Sequence, residues 1–277
     1  MYKIVIDSCG ELFPYMTDDE HFVNVPLTID VDGYTIVDDA TFDQADFLRR
    51  AAESPNVPKS ACPSPATYIE AMDGADRIYV ITLSAQLSGS YNSAVLAKNL
   101  YMEEHPDVSI HVFDSKSASI GQTLIGDHIH HLEQEGRPFE EIVSDTDAYI
   151  ESQHTYFVLE SLETLKKAGR LSGIKSIIAS TLNIKPVMGS TPIGSIQQLD
   201  KGRGMKKALE KMADCMIADA VDTVNKVLAI SHCNCPDTAA FLKSLVEDRG
   251  EYRDIVVVDT RGISSLYAGD GGVIMVV

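Results

Sequence analysis

Short apolar runs alternate with longer amphipathic stretches through the first half of this chain, and that order constrains its fold more than any other feature. Residues 3–7, 77–82 and 108–113 are each short, rich in Val and Ile, and closed by polar residues, as strands are. Between and after them the pattern predicts helices over 43–52, 65–72, 89–103, 119–135 and 138–152. Pro65 directly behind Ser64 reads as a first helical residue after a hydroxyl cap, and Pro138 fits the same first-turn role. In 89–103, Tyr91, Ala94, Val95, Ala97, Leu100 and Tyr101 form an apolar helical face. Strand–helix alternation of this kind implies a largely parallel sheet with helices on its faces.

The second half reads differently. A strand over 155–159 and a short helix over 162–168 lead into a turn at 169–173 and a helix over 174–181. Residues 184–188 and 195–199, separated by Gly-Ser-Thr-Pro-Ile-Gly, read as a hairpin and so bring in an antiparallel component. A helix over 205–220, a strand over 227–231, a helix over 237–248, a strand over 254–259 and a tail strand over 273–277 complete it. The expected fold is α/β in two lobes with the ligand between them. Residues 1–153 form a lobe around a parallel sheet, and residues 154–277 a mixed lobe. A chain of 277 residues suits such an arrangement, and no linker or repeat separates the halves.

Charge and composition exclude several functions. The formal charge of −18 argues against a nucleic-acid partner and against electrostatic attachment to anionic lipid. It leaves small anions open, because helix N-termini and hydroxyls bind them without a basic surface. A charge at Asp7 falls too early for the apolar core of a signal peptide, and no apolar run reaches the roughly 20 residues of a membrane span, so a cytoplasmic location is expected. Five cysteines, at 9, 62, 215, 233 and 235, lack a disulfide framework's spacing. Cys233 and Cys235 beside His232 have no second pair to complete a zinc site, so no metal or cofactor is expected.

Polar residues gather where ligands of parallel sheets bind, beyond the carboxyl ends of the strands. Asp7 and Ser8 follow the first strand. Ser60 and Ser64 lie in what reads as the loop before the Pro65 helix. Thr82, Ser84, Ser88, Gly89 and Ser90 follow the second strand, and Asp114, Ser115, Ser117 and Ser119 the third. Any one of these serines reads most simply as a helix cap. Ser88-Gly89-Ser90 as a unit reads as an anion receptor, because the glycine lets a ligand approach the backbone between two hydroxyls. Arg170, after Gly169, either reaches across to an anion or complements the end of the preceding helix. Asn183 and Lys185 are either strand-edge or site residues. The acidic pairs Asp38-Asp39 and Glu140-Glu141 read as solvated faces. A nucleophilic serine needs a base beside it, yet there is no Gly-x-Ser-x-Gly elbow; of the eight histidines, His154 and His232 lie where they could approach a site, but each reads most simply as structural or surface. Gly202-Arg203-Gly204-Met205-Lys206-Lys207 lacks the phosphate-loop spacing, and no dinucleotide fingerprint follows the first strand.

Several of these segments together resemble the DegV family. Residues 81–94, Ile-Thr-Leu-Ser-Ala-Gln-Leu-Ser-Gly-Ser-Tyr-Asn-Ser-Ala, resemble its "S-x-x-LSGTYxSA" segment, and residues 114–122 its "DSkxxSxGqG". Residues 162–172 are similar to "LeyLkkGGRIs", residues 182–186 to "LnIKP", and Asp7-Ser8 to the opening "DSxxdl". The resemblance implies a non-catalytic carrier with two α/β lobes. It would hold a long-chain fatty acid by its carboxylate and present it to the catalytic subunit of a fatty acid kinase, with transient membrane contact for ligand exchange. The residues it implies at the carboxylate are Ser60, Ser88, Gly89, Ser90, Arg170 and Tyr267. Ser60 stands for the threonine of "TSqPS", Ser88 and Ser90 for the serine and threonine of "LSGTY", and Arg170 for the arginine of "GGRIs". Two departures stand out. Ala61 and Cys62 replace "Sq", and the closing "HxGPG" reads Tyr267-Ala268-Gly269-Asp270-Gly271, so a hydroxyl replaces an imidazole. An enzyme acting on a small phosphorylated or carboxylated metabolite at the same hydroxyl cluster is the alternative reading.

Overall fold

The computed structural model describes residues 1–171 and 183–277, so the helix expected over 174–181 lies outside the described residues. The chain runs β1 (Tyr2–Asp7), α1 (Pro14–Thr17), β2 (Phe22–Val25), β3 (Thr28–Val31), β4 (Tyr34–Val37), α2 (Gln44–Glu53) and β5 (Lys59–Ala61). It continues through α3 (Pro65–Met72), β6 (Arg77–Thr82), α4 (Ser90–Glu104), β7 (Ser109–Asp114), α5 (Ile120–Gln134) and α6 (Phe139–Ser152). The second half contains β8 (Thr155–Val158), α7 (Glu163–Lys167), β9 (Ile184–Ser190), β10 (Ile196–Arg203) and α8 (Gly204–Asp219). It ends with β11 (Val227–His232), α9 (Pro236–Glu247), β12 (Asp254–Asp259), α10 (Gly262–Ala268) and β13 (Val273–Val276).

Caps set several of these boundaries. Asp43 accepts from the Asp46 N–H at 3.0 Å and starts α2, and Ser64 accepts from the Thr67 N–H at 3.2 Å ahead of Pro65 in α3. Gly89 is the residue before α4 rather than its first turn. Strands β2-β1-β6-β7 pair in parallel throughout, with Val5 opposite both Val23 and Val80. The chain leaves β1 for β2 on one side and returns to β6 on the other, so strand order reverses between β1 and β6. Such a reversal opens the crevice in which open α/β sheets hold ligands. The second sheet is mixed, in the order β10-β9-β8-β13-β11-β12, with only β11 and β12 parallel. The predicted hairpin is β9–β10, antiparallel from Ile184–Arg203 to Ser190–Ile196.

Helix α5 binds the two sheets into one core. It packs on β1 and β6 on one side and on β11 and β13 on the other. Leu124, Ile125 and Ile129 join Ile4, Ile6 and Ile81 to Ala229, Ile274 and Val276 in a single buried cluster. A β-carbon at Gly126 would stand 2.7 Å from Ile6 Cδ1, so glycine here lets α5 pack closely on β1 and a larger residue would push the Ile6 side chain aside.

A third sheet, β4-β3-β5, has no counterpart in the sequence reading. Val31 pairs with Tyr34 across Asp32-Gly33, both at positive φ (52° and 85°), the geometry of a two-residue hairpin turn. Ser60, expected in a loop, sits on β5 opposite Ile29. The three-residue strand around it is too short to show alternation, and pairing with β3 is what orders it.

Candidate functional site

Loops after β1, β6 and β7 meet the inner face of the mixed sheet around a cavity of about 740 Å³, counting the part open to solvent. Cys9, Leu83 and Leu87, and Ser117 to Ser119 supply the parallel-sheet side. Phe157, Leu159, Gly189, Ile196 and Ile274 supply the facing side, and Leu165, Arg170, Ile263 and Tyr267 complete the wall. Its place fits a small-molecule pocket at a switch point.

The chemistry of the wall is set by hydrogen bonds made within the protein. Six aliphatic hydroxyls line the cavity, from Ser117, Ser119, Thr155, Ser190, Ser195 and Ser264, and every one has a protein partner. Ser117 Oγ pairs with Thr155 Oγ1 at 2.6 Å, and Ser195 Oγ with Thr191 Oγ1 at 2.7 Å. Ser264 donates to the Cys9 carbonyl at 3.0 Å, and Ser190 Oγ accepts from the Thr155 N–H at 3.4 Å. Hydroxyls engaged in this way turn carbon toward the cavity, so its exposed surface is almost wholly apolar.

The six residues implicated by the sequence fall into two bonded groups at this cavity. Tyr267 Oη and Ser60 Oγ are 2.9 Å apart. Ser88 Oγ accepts from the Ser90 N–H at 3.2 Å and lies 3.0 Å from Ser90 Oγ. Arg170 Nε donates to the carbonyl of Leu87, next to Ser88, at 3.0 Å. Its guanidinium also bonds the Ala168 carbonyl at the end of α7, the contact that the helix-end reading of Arg170 describes. Cys62, two residues beyond Ser60, lies against Gly89 and links the groups, since a β-carbon on Gly89 would be 3.1 Å from its sulfur. Arg170 and Tyr267 line the cavity itself. Ser60 and Ser88 are half-buried beside it, Gly89 is exposed, and Ser90 is fully buried beneath Ser88. Arg170 has no carboxylate partner among the described residues, in a chain with 41 acidic and 23 basic residues. Lys185 donates to the Glu160 carbonyl at 2.8 Å and pairs with its carboxylate, so it braces the start of β9.

Three buried carboxyl groups behind the wall were not recognised from the sequence as a set. Asp38, read as part of a solvated face, is 1% exposed. It accepts from Ser8 Oγ and from the Gly262 and Ile263 N–H groups, each at 2.9 Å, and so fixes the start of α10, which carries Tyr267. A β-carbon at Gly262 would overlap that carboxylate. Burial raises Asp38 above the usual carboxylate range, against the pull of those hydrogen bonds. Asp7 accepts from Leu83 N–H at 2.7 Å, Gln122 Nε2 at 2.9 Å and Cys9 N–H at 3.2 Å, yet burial pushes it up to about 6. Glu11 accepts from Ser119 Oγ at 2.7 Å, its other oxygen has no partner among the described residues, and burial pushes it up to about 7. Of the three, only Asp7 was marked by its place after a strand, and the Leu83 amide and Gln122 side chain that hold it come from segments distant in sequence.

The fold and cavity define an α/β protein with an apolar pocket at a parallel-sheet switch point and a cation on its wall. The family model for uncharacterised proteins of the DegV family matches residues 1–277, and the chain belongs to that family. A DegV domain-containing protein of Streptococcus pneumoniae serotype 4 is 36% identical over 276 residues, 99% of this chain and 98% of that one. A DegV family crystal structure from Ruminococcus gnavus, refined with vaccenic acid, superposes with a TM-score of 0.97 at 53% identity, covering 100% of this chain and 99% of the other. The Streptococcus pneumoniae fatty acid kinase B3 protein, loaded with linoleic acid, superposes with a TM-score of 0.92 at 35% identity, covering 100% and 98%. Among the described residues, no helix is long and apolar enough to cross a membrane.

Proposed function

We propose that this protein binds a long-chain fatty acid and presents its carboxylate to the catalytic subunit of a fatty acid kinase, itself acting as a carrier. One observation carries the reading. The cavity wall engages all six of its aliphatic hydroxyls internally, while Arg170 on the same wall has no acidic partner among the described residues. Such a wall favours an apolar tail and an anionic head.

The hydroxyl pairs supply the donors. Ser60 and Tyr267 hold two hydroxyl protons between them, and their mutual bond uses one, leaving the other for a carboxylate oxygen. Ser88 is similarly placed, because its oxygen accepts the Ser90 N–H while its own proton can turn outward. Ser90, fully buried, supports Ser88 from beneath. Tyr267 donates without adding charge, which leaves Arg170 as the cation at the head group. The acids bound by the vaccenate and linoleate complexes of the relatives support the same ligand class.

Organic extract of the purified protein, analysed by mass spectrometry, should contain a long-chain acid at about one per chain. Protein free of lipid, and indifferent to added fatty acid in a thermal melt, would overturn the reading. Mixing the loaded protein with ATP and a fatty acid kinase catalytic subunit should give acyl phosphate, and the carrier alone should give none.

Ser88→Ala separates a ligand donor from a helix cap. Hydrogen bonds to a charged group contribute roughly 1.5–3 kcal/mol, so the variant should bind fatty acid about tenfold to a hundredfold more weakly. A role confined to α4 would instead lower stability by about 1 kcal/mol and leave affinity intact. Titration with a fluorescent fatty acid alongside thermal melts distinguishes the two.

A further inference from the structure

We infer that the hydroxyl pair Ser117–Thr155 is the end stop of the acyl cavity and sets the longest chain the protein accepts. This inference rests on the fatty-acid reading and adds a length limit to it. Arg170 and Tyr267 line the cavity alone, whereas Lys116, Thr155 and Ser190 line both the cavity and a second pocket behind it. The shared residues are therefore the partition between the two spaces, and an acyl chain with its head at Arg170 runs toward them.

The partition is rigid. Ser117 and Thr155 are buried and their oxygens lie 2.6 Å apart, too close for a methylene to pass between. Thr155 begins β8 opposite Val276, and its N–H donates to Ser190 Oγ at 3.4 Å, so moving it would disturb the mixed sheet. Beyond the partition the chemistry changes. The second pocket sets Glu151, Gln153, His154, Gln197 and Asp219 among apolar residues such as Ile150 and Leu199, with the Lys116 ammonium held by Glu151. A terminal methyl forced past the pair would strip water from these groups and return nothing to them. The stop is thus steric at the hydroxyl pair and chemical behind it.

A ladder of saturated acids of increasing length, ranked by displacement of a fluorescent fatty acid, tests this on the unmodified protein. Each added methylene should tighten binding roughly threefold to fourfold until the methyl reaches the pair, after which the gain stops. A steady gain through the longest soluble acid would overturn the stop. In Ser117→Ala/Thr155→Ala the break should move to longer acids, with those just past the original break gaining roughly tenfold. Thr155→Val keeps the bulk and removes the hydrogen bond, so its break should stay with the unmodified protein. A break unmoved in the double variant, or moved equally by the valine, overturns the steric stop while leaving fatty-acid binding intact. Failure to bind any acid of the ladder would instead remove the fatty-acid reading and the stop together.

Discussion

Asp38→Ala is expected to lower the free energy of unfolding by about 3 kcal/mol or more and to weaken fatty-acid uptake with it. The carboxylate is 1% exposed and accepts three hydrogen bonds, two of them from the first N–H groups of α10. Alanine leaves those amides buried without an acceptor, and each buried donor so orphaned costs about 1–3 kcal/mol. Ser8 is loosened as well, although its oxygen still accepts from the Leu27 N–H at 2.9 Å. Because α10 carries Ile263, Ser264, Tyr267 and Ala268 on the cavity wall, its start cannot shift without disturbing both tail and head contacts. Asp38→Asn keeps one acceptor oxygen and should lose about half as much. Urea unfolding of the two variants checks the order, and a loss below about 1 kcal/mol for alanine would show that α10 does not depend on Asp38.

The sequence made the mixed sheet and three strands of the parallel sheet legible as apolar runs bounded by polar residues, while the edge strand Phe22–Val25 is not among those it marked. Lys59–Ala61, Thr28–Val31 and Tyr34–Val37 are three or four residues each, and the alternation in Thr28–Val31 spans only four residues. One signal was available even so: Asp32-Gly33 between apolar residues is the strongest short hairpin marker, and it forms the β3–β4 turn. Missing that turn moved Ser60 from a strand to a loop. At the site, residues that the motifs single out lie close together. Arg170 binds the Leu87 carbonyl beside Ser88, and Tyr267 bonds Ser60, more than two hundred residues away in sequence. The apolar wall was not legible. Leu83, Phe157 and Ile274 look like ordinary core residues, and only the packing of two sheets around a gap distinguishes them. Asp38 misled for a related reason. Beside Asp39 it resembles a solvated pair, and the amides that bury it belong to residues 262 and 263.

Glu11→Gln should remove Glu11's share of the pH dependence that the buried acids impose. Glu11 titrates at about 7 when folded, against an ordinary value of 4.5, because burial disfavours its charge more than its hydrogen bonds restore it. Asp7 shifts in the same direction, from 3.8 to about 6. Between the unfolded and folded values the native state holds a proton that the unfolded chain has released, so stability falls as pH rises. Their contribution is fully present below about pH 4 and is lost as pH climbs through 6 and 7. Asp19, Asp39 and Asp46 are held below the ordinary carboxylate range by hydrogen bonds, from His21, Thr41 and Arg50 respectively, and their contribution is lost in acid instead. For Glu11 the rise from 4.5 to about 7 corresponds to about 3 kcal/mol once the group is ionised. Glutamine still accepts from Ser119 through its oxygen, and its amide nitrogen fills the position of the unpartnered carboxylate oxygen beside Ser264. Above pH 7 the variant should therefore unfold at higher urea than the unmodified protein, by up to about 3 kcal/mol, and the two should converge near pH 4.5. Urea midpoints that stay together from pH 5 to pH 8 would mean that Glu11 ionises at its ordinary value, which would require water to reach it through the cavity wall.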